Sequence, residues 1–156
     1  LVSVYKKLRG KRGRSMINDI INGVAAAIRE EFGENVKIYA GQVSGSLEKP
    51  CFFVLSDGGG LELYRGKRYY AKNRIIVNFM AEGEGSDGAY EIGQTSERLF
   101  KCLEVINISE GSVRAKNMNC GVSGGELKFT CEYNMFLYKI EDAENMEELE
   151  QKTKAD

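Results

Sequence analysis

The sequence predicts an α+β fold: a single domain in which an antiparallel or mixed sheet carries two main helices, with charged extensions at both ends. Three observations lead there. Two segments repeat apolar residues at helical spacing, several others alternate apolar and polar residues with period two, and the order runs helix, three or four strands, helix, two strands. A doubly wound parallel fold would need more helices. At 156 residues the chain fits one domain, which buries about 65% of its unfolded surface at this size.

The first helix is carried by Ile17, Ile20, Ile21, Val24, Ile28 and Phe32, with Ser15 or Asn18 as its cap and Gly33 as its stop. "VKIYA" at 36–40 reads as a short strand, and "GQVSGSLEK" as a loop leading to the only proline, Pro50. The unbroken apolar run "CFFVL" then suggests a strand covered on both faces. "SDGGG" at 56–60 reads as a tight turn, followed by a short strand "LELYRG".

From Tyr69 to Ala81 the odd positions are Tyr, Ala, Asn, Ile, Val, Phe and Ala, while Tyr70, Lys72, Arg74 and Asn78 fall on the even ones, which predicts a long half-buried strand. After the loop "EGEGSDG", a second helix is marked by Ile92, Leu99, Leu103 and Ile106, with Ser86 or Asp87 as cap. "SVRAKNMNCGV" and "GGELKFTCEYNMFLYKI" then look like paired strands around a Gly-Gly turn. The second has the clearest alternation in the chain. Leu127, Phe129, Cys131, Tyr133, Met135 and Leu137 share one face, and Glu126, Lys128, Thr130, Glu132 and Asn134 the other. The division is therefore a basic extension at 1–15, the domain at 16–140 and an acidic tail at 141–156.

Charge is balanced overall, at net −1, but not along the chain. Lys6, Lys7, Arg9, Lys11, Arg12 and Arg14 give residues 1–15 a charge of +6 and form a candidate contact for polyanions. Residues 141–156 carry seven acids, among them Glu147 and Glu148, against Lys152 and Lys154. The near-neutral body has no general electrostatic footprint for nucleic acid. Apolar runs reach only five residues, far short of the ~20 that span a bilayer, and Asn18, Asp19 and Asn22 interrupt any signal-peptide core. A soluble protein with no membrane partner is expected.

Few residues recommend themselves for catalysis. The chain has no histidine, so neither a Ser-His-Asp nor a Cys-His arrangement is available. Cys51, Cys102, Cys120 and Cys131 lie far apart with no C-x-x-C pair, and read as small buried hydrophobes of a reduced compartment. Gly83 to Gly88, "GEGSDG", matches G-x-G-x-x-G between a strand and a helix. Against nucleotide binding, Glu84 and Asp87 put carboxylates where a pyrophosphate would sit. The plainer reading is a flexible connection with a helix cap; Glu82, Glu84 and Asp87 lack the spacing of a calcium loop. No cofactor, no metal and no enzymatic activity are expected.

"YRGKRYYAKNR" at 64–74 interleaves cations with tyrosines, as single-strand binders do. A strand with a basic solvent face is the plainer alternative. A subunit interface is the third, formed by Arg65, Lys67, Arg68, Tyr69, Tyr70, Lys72 and Arg74 with Glu147 and Glu148 as acidic counterparts.

Taken together, "MINDIINGVAAAIREEFGENVKIYAGQVSGSLEKPCFFVLSD", "RYYAKNRIIVNFMAEG" and "LKFTCEYNMFLYK" resemble the small tail terminator, or tail completion, proteins of tailed phages and phage-derived contractile particles, over Met16 to Lys139. The resemblance lies in order and spacing. It implies a structural virion protein without cofactor or turnover, assembled in the host cytoplasm as a homo-oligomeric ring, usually a hexamer. Such a ring caps the tail tube, ends its polymerisation and presents a surface to the head connector. The partners it implies are further copies of the chain, the tail tube protein, and sheath and collar proteins, with DNA met only in passing. Two alternatives are a small nucleic-acid-binding module using the basic arm and a nucleotide-binding enzyme using Gly83 to Gly88. Residues 1–15 precede both the resemblance and the helix signal, which suggests an upstream start that translates purine-rich ribosome-binding sequence rather than an evolved arm.

Overall fold

The computed structural model describes residues 15–41, 47–109 and 111–138. The arm residues Lys6, Lys7, Arg9, Lys11, Arg12 and Arg14, and the tail residues Glu147 and Glu148, lie outside them. In order, the elements are α1 (Met16–Phe32), β1 (Lys37–Ala40), β2 (Cys51–Arg65), β3 (Arg68–Met80), α2 (Gly85–Cys102), β4 (Val105–Ile108), β5 (Gly111–Arg114), β6 (Lys116–Ser123), β7 (Glu126–Glu132) and β8 (Met135–Tyr138). The main sheet has the order β1-β2-β3-β7-β6, with β8 also paired to β3, and β4 and β5 form a separate pair. Among the described residues only β1 and β2 pair in parallel, so the sheet is mixed, as the α+β reading allows.

Local chemistry accounts for α1. The Ser15 hydroxyl accepts a bond from the Asn18 N–H at 3.1 Å, and Gly33, at φ +84°, ends the helix by donating its N–H to Arg29 O. Ile20, Val24 and Ile28 are fully buried. Both helices lie against one face of the sheet. Phe32 of α1 meets Phe52 at 4.9 Å, Phe52 meets Phe79 at 4.7 Å, and Phe100 of α2 meets Phe129 edge-on at 5.1 Å. Arg98 joins the helices, bonding Glu31 Oε1 at 3.0 Å and Glu31 O at 2.7 Å while its guanidinium covers the Phe32 ring.

Because the helices cover one face, "CFFVL" is buried on that side, while on the other only Cys51 is buried and the next two residues of that face are half-exposed. Phe52 and Val54 are buried, whereas Phe53, stacked on Tyr39, and Leu55 are only half-buried. "SDGGG" is not a turn. The strand β2 runs through it, absorbing an irregularity between Ser56 and Gly59 and continuing to Arg65. Gly58 takes φ +91°, and a Cβ on Gly59 would stand 2.2 Å from Lys72 O, so the glycines make a bulge against β3 rather than a reversal. The reversal comes at Gly66 and Lys67, with Gly66 at φ +59°.

The second helix also differs from expectation. Its N-cap is Glu84, with no side-chain bond, and Ser86 and Asp87 sit in its first turn. It ends at Cys102, so Ile106 is buried from β4 instead. β4 packs on α1 where Gly23 permits it, since a Cβ there would meet Asn107 O at 2.6 Å. "SVRAKNMNCGV" is split: β5 pairs with β4, and only β6 pairs with β7, across the turn at Gly124 and Gly125.

The alternation from Leu127 to Leu137 holds, all six inward residues being buried, but the strand breaks between β7 and β8. Asn73 fills the break. Its Nδ2 donates to Tyr133 O at 3.0 Å, its carbonyl accepts from the Tyr133 N–H at 2.9 Å, and its N–H donates to Asn134 Oδ1 at 3.1 Å. The buried Tyr133 hydroxyl donates to Leu103 O at 2.7 Å. Burial thus costs no unmet hydrogen bond at either residue.

Candidate functional site

The β2–β3 hairpin is the most distinctive surface of the described residues. Beyond the bulge, Ser56 to Arg65 are all exposed. Opposed residues in antiparallel strands share a face, so the register Leu61↔Ala71 and Leu63↔Tyr69 places both leucines on the side that carries the core. Ala71, Met135 and Leu137 on that side are buried, yet Leu61 is 59% and Leu63 64% exposed. The apolar face therefore runs past the helices to an uncovered edge.

The stretch 64–74 is divided by this geometry. Arg65, Lys67 and Arg68 sit at the hairpin tip, with Arg65 registered against Arg68. Tyr69 faces the core side and Tyr70 the other. Lys72 lies 3.8 Å from Glu62 and Arg74 3.7 Å from Asp57, both exposed pairs worth little energetically. Tyr70 and Phe136 are half-buried and 5.1 Å apart, with exposed Tyr64 edge-on to Phe136. Lys116 Nζ lies 3.4 Å from the Tyr70 hydroxyl. The tyrosines are thus not exposed together as a stacking platform requires. Of the proposed interface set, the described residues are brought to one hairpin but to two of its faces. Leu61, Leu63 and Phe136 were missed; the period-two spacing of the leucines was the available signal.

Gly83 to Gly88 is compact. A Cβ on Gly88 would stand 2.5 Å from Gly83 O, so the glycine lets the loop fold onto the first turn of α2. The Glu91 carboxylate accepts from the Glu82 N–H at 3.1 Å and the Gly83 N–H at 3.2 Å. The chain's own carboxylate thus occupies the start of the loop and adds a negative group beside Glu84 and Asp87. The adjoining cleft of about 330 Å³ is lined by Lys49, Gly83, Glu84, Gly125 and Glu126, two carboxylates to one ammonium. Replacing Gly88 with alanine is expected to cost about 1–3 kcal/mol, by the overpacking it forces, measured by denaturant unfolding. Millimolar nucleotides are expected to leave the melting temperature of the unmodified chain unchanged. Among the described residues no three cysteine or acidic side chains converge on a metal position, and no helix is long and apolar enough to cross a membrane.

The cysteines are not all alike. Cys51 and Cys131 are buried and Cys102 half-buried, but Cys120, on the edge strand β6, is exposed, which corrects the expectation that all four are core residues. Desolvation raises the Cys51 thiol, pushes Cys102 up to about 12 and Cys131 up to about 11, and holds the Tyr133 phenol far above its usual range. An unfolded chain releases these thiol protons near pH 9, whereas the folded chain retains them. Stability should therefore be full below pH 9 and fall progressively toward pH 12, as followed by denaturant midpoints. In the native protein one thiol, Cys120, should react at once with an aromatic disulfide, and the other three only slowly.

The family described as phage tail terminator protein matches residues 19–145. No curated protein matches the chain. One solved structure aligns over 78% of this chain and 96% of its own at 12% identity, with a TM-score of 0.37, too low to carry an argument.

Proposed function

Since the chain belongs to the phage tail terminator family, a family of structural virion tail proteins, we propose that it forms a ring on the end of the tail tube, stops tube polymerisation there and offers the joining surface for the head. Six copies, a contractile particle and assembly in the host cytoplasm complete this reading. Its partners are other copies of the chain, the tube protein, and connector, sheath or collar proteins. The observation that carries it is the β2–β3 hairpin, whose uncovered leucines sit beside a cluster of cations. Apolar residues ringed by charge suit contact with another subunit, and Arg65, Lys67, Arg68, Tyr69, Tyr70, Lys72 and Arg74 are proposed for it, with Glu147 and Glu148 of a neighbouring copy as counterparts. A closed ring uses the same contact at every subunit.

The test is solution mass together with electron microscopy in the presence of tube protein. A ring on tube ends, and shorter tubes as its concentration rises, are expected. A strict monomer that leaves tube length unchanged would remove the reading. Salt-dependent DNA affinity without any ring would favour the nucleic-acid alternative instead.

A further inference from the structure

We propose that in the free subunit the acidic segment 141–156 lies on its own β2–β3 hairpin, and that ring assembly transfers it to the hairpin of the next copy. The second half rests on the ring reading; the first does not.

Four observations converge. The hairpin has an apolar face with nothing described over its edge, Leu61 and Leu63 being 59% and 64% exposed. From Asp57 to Arg74 it carries five cations against Asp57 and Glu62, whereas 141–156 carries seven acids against two lysines. The chain's course brings these together. β8 is antiparallel to β3 and ends with Tyr138 registered against Arg68, so it runs toward the hairpin tip and the acidic segment begins three residues beyond it. Lastly, the segment offers Met146 and Leu149, three residues apart, as apolar contacts for the two leucines.

Reach is ample. Sixteen residues extend to about 55 Å at most, and the strand from Gly58 to Arg65 spans about 27 Å. A segment tethered at the tip meets its own hairpin at an effective concentration near millimolar, well above that of any second copy in dilute solution. In a ring the neighbours are held in contact, that advantage disappears, and the segment can exchange to the adjacent hairpin without new chemistry. Covering the leucines would also keep free subunits from associating before they meet a tube end.

Hydrogen exchange tests this on the full chain at micromolar concentration in about 20 mM salt. The comparison is with a full-length variant carrying Glu144→Gln, Glu147→Gln, Glu148→Gln and Glu150→Gln, which keeps the length and the apolar residues. Amides of 58–65 should exchange at least fivefold faster in the variant, and the difference should vanish near 1 M salt, where the screening length is about 3 Å. Carbodiimide coupling in a mixture of heavy- and light-labelled chains should join tail carboxylates to Lys72 or Lys67 within one copy in free subunits, and between copies in rings. Equal exchange in the two proteins, or coupling between copies in free subunits, would overturn the proposal. Absence of rings with the exchange difference intact would instead overturn the ring reading alone.

Discussion

The double substitution Arg65→Glu and Arg68→Glu is expected to abolish capping of tail tubes while shifting the melting temperature by less than about 4 °C. Both residues stand exposed at the hairpin tip, registered against each other. Removing exposed charges costs the fold about 0–1 kcal/mol. The assembly is far more sensitive, because each reversal replaces an attraction with a repulsion, and like charges brought together across an interface cost several kcal/mol. The proposed ring repeats that loss at every contact. Net charge moves from −1 to −5, two reversals of two units each, which keeps the variant soluble. Tube-length distributions by electron microscopy, with and without the variant, give the result. Normal capping by the variant would remove the hairpin from the interface, even if the protein still formed rings.

Phe52→Ala should cost about 3–5 kcal/mol and Phe53→Ala only about 1–2 kcal/mol, although the two are neighbours on one strand. Phe52 is fully buried between Phe32 and Phe79. Phe53 points to the face without helices, half-buried and stacked on Tyr39 at 5.3 Å. Native domains are stable by roughly 5–15 kcal/mol, so the first substitution removes much of that margin and the second a small part. Denaturant midpoints at constant slope measure both. Equal losses would mean that the outer face is covered in solution and that the helices are not its only packing partners.

Much of the architecture was legible because its signals are local. Helical spacing from Ile17 to Phe32, a serine before it and a glycine after it name α1 and both of its ends. Period-two alternation identifies the inward residues of β3 and of the last strands, and all of them from Ala71 to Ala81 and from Leu127 to Leu137 are buried. The candidate interface was legible in part. Its cations and tyrosines stand out in composition, whereas Leu61 and Leu63 look like ordinary strand residues until the helices are seen to end short of them.

Where the readings departed, the deciding partner was distant in sequence. "SDGGG" has every local mark of a turn, but β3 pairs along both of its sides, and close approach to Lys72 O makes the glycines a bulge. The apparent single strand from Glu126 to Leu137 breaks where Asn73, sixty residues away, supplies hydrogen bonds to Tyr133 and Asn134. Glycines 83 to 88 match the spacing of a phosphate loop, but Glu91 closes on the Glu82 and Gly83 amides and sets a carboxylate beside it.

By itself, the sequence determined which residues of α1, β3 and the last two strands face inward, where α1 begins and ends, and the α+β class, since each follows from backbone periodicity and capping chemistry within a few residues. Only the tertiary structure decided which strands pair, that both helices pack on the same sheet face, and that β8 ends beside the tip of a basic hairpin. Those outcomes depend on hydrogen-bond partners and burial supplied by distant segments, which no local pattern encodes.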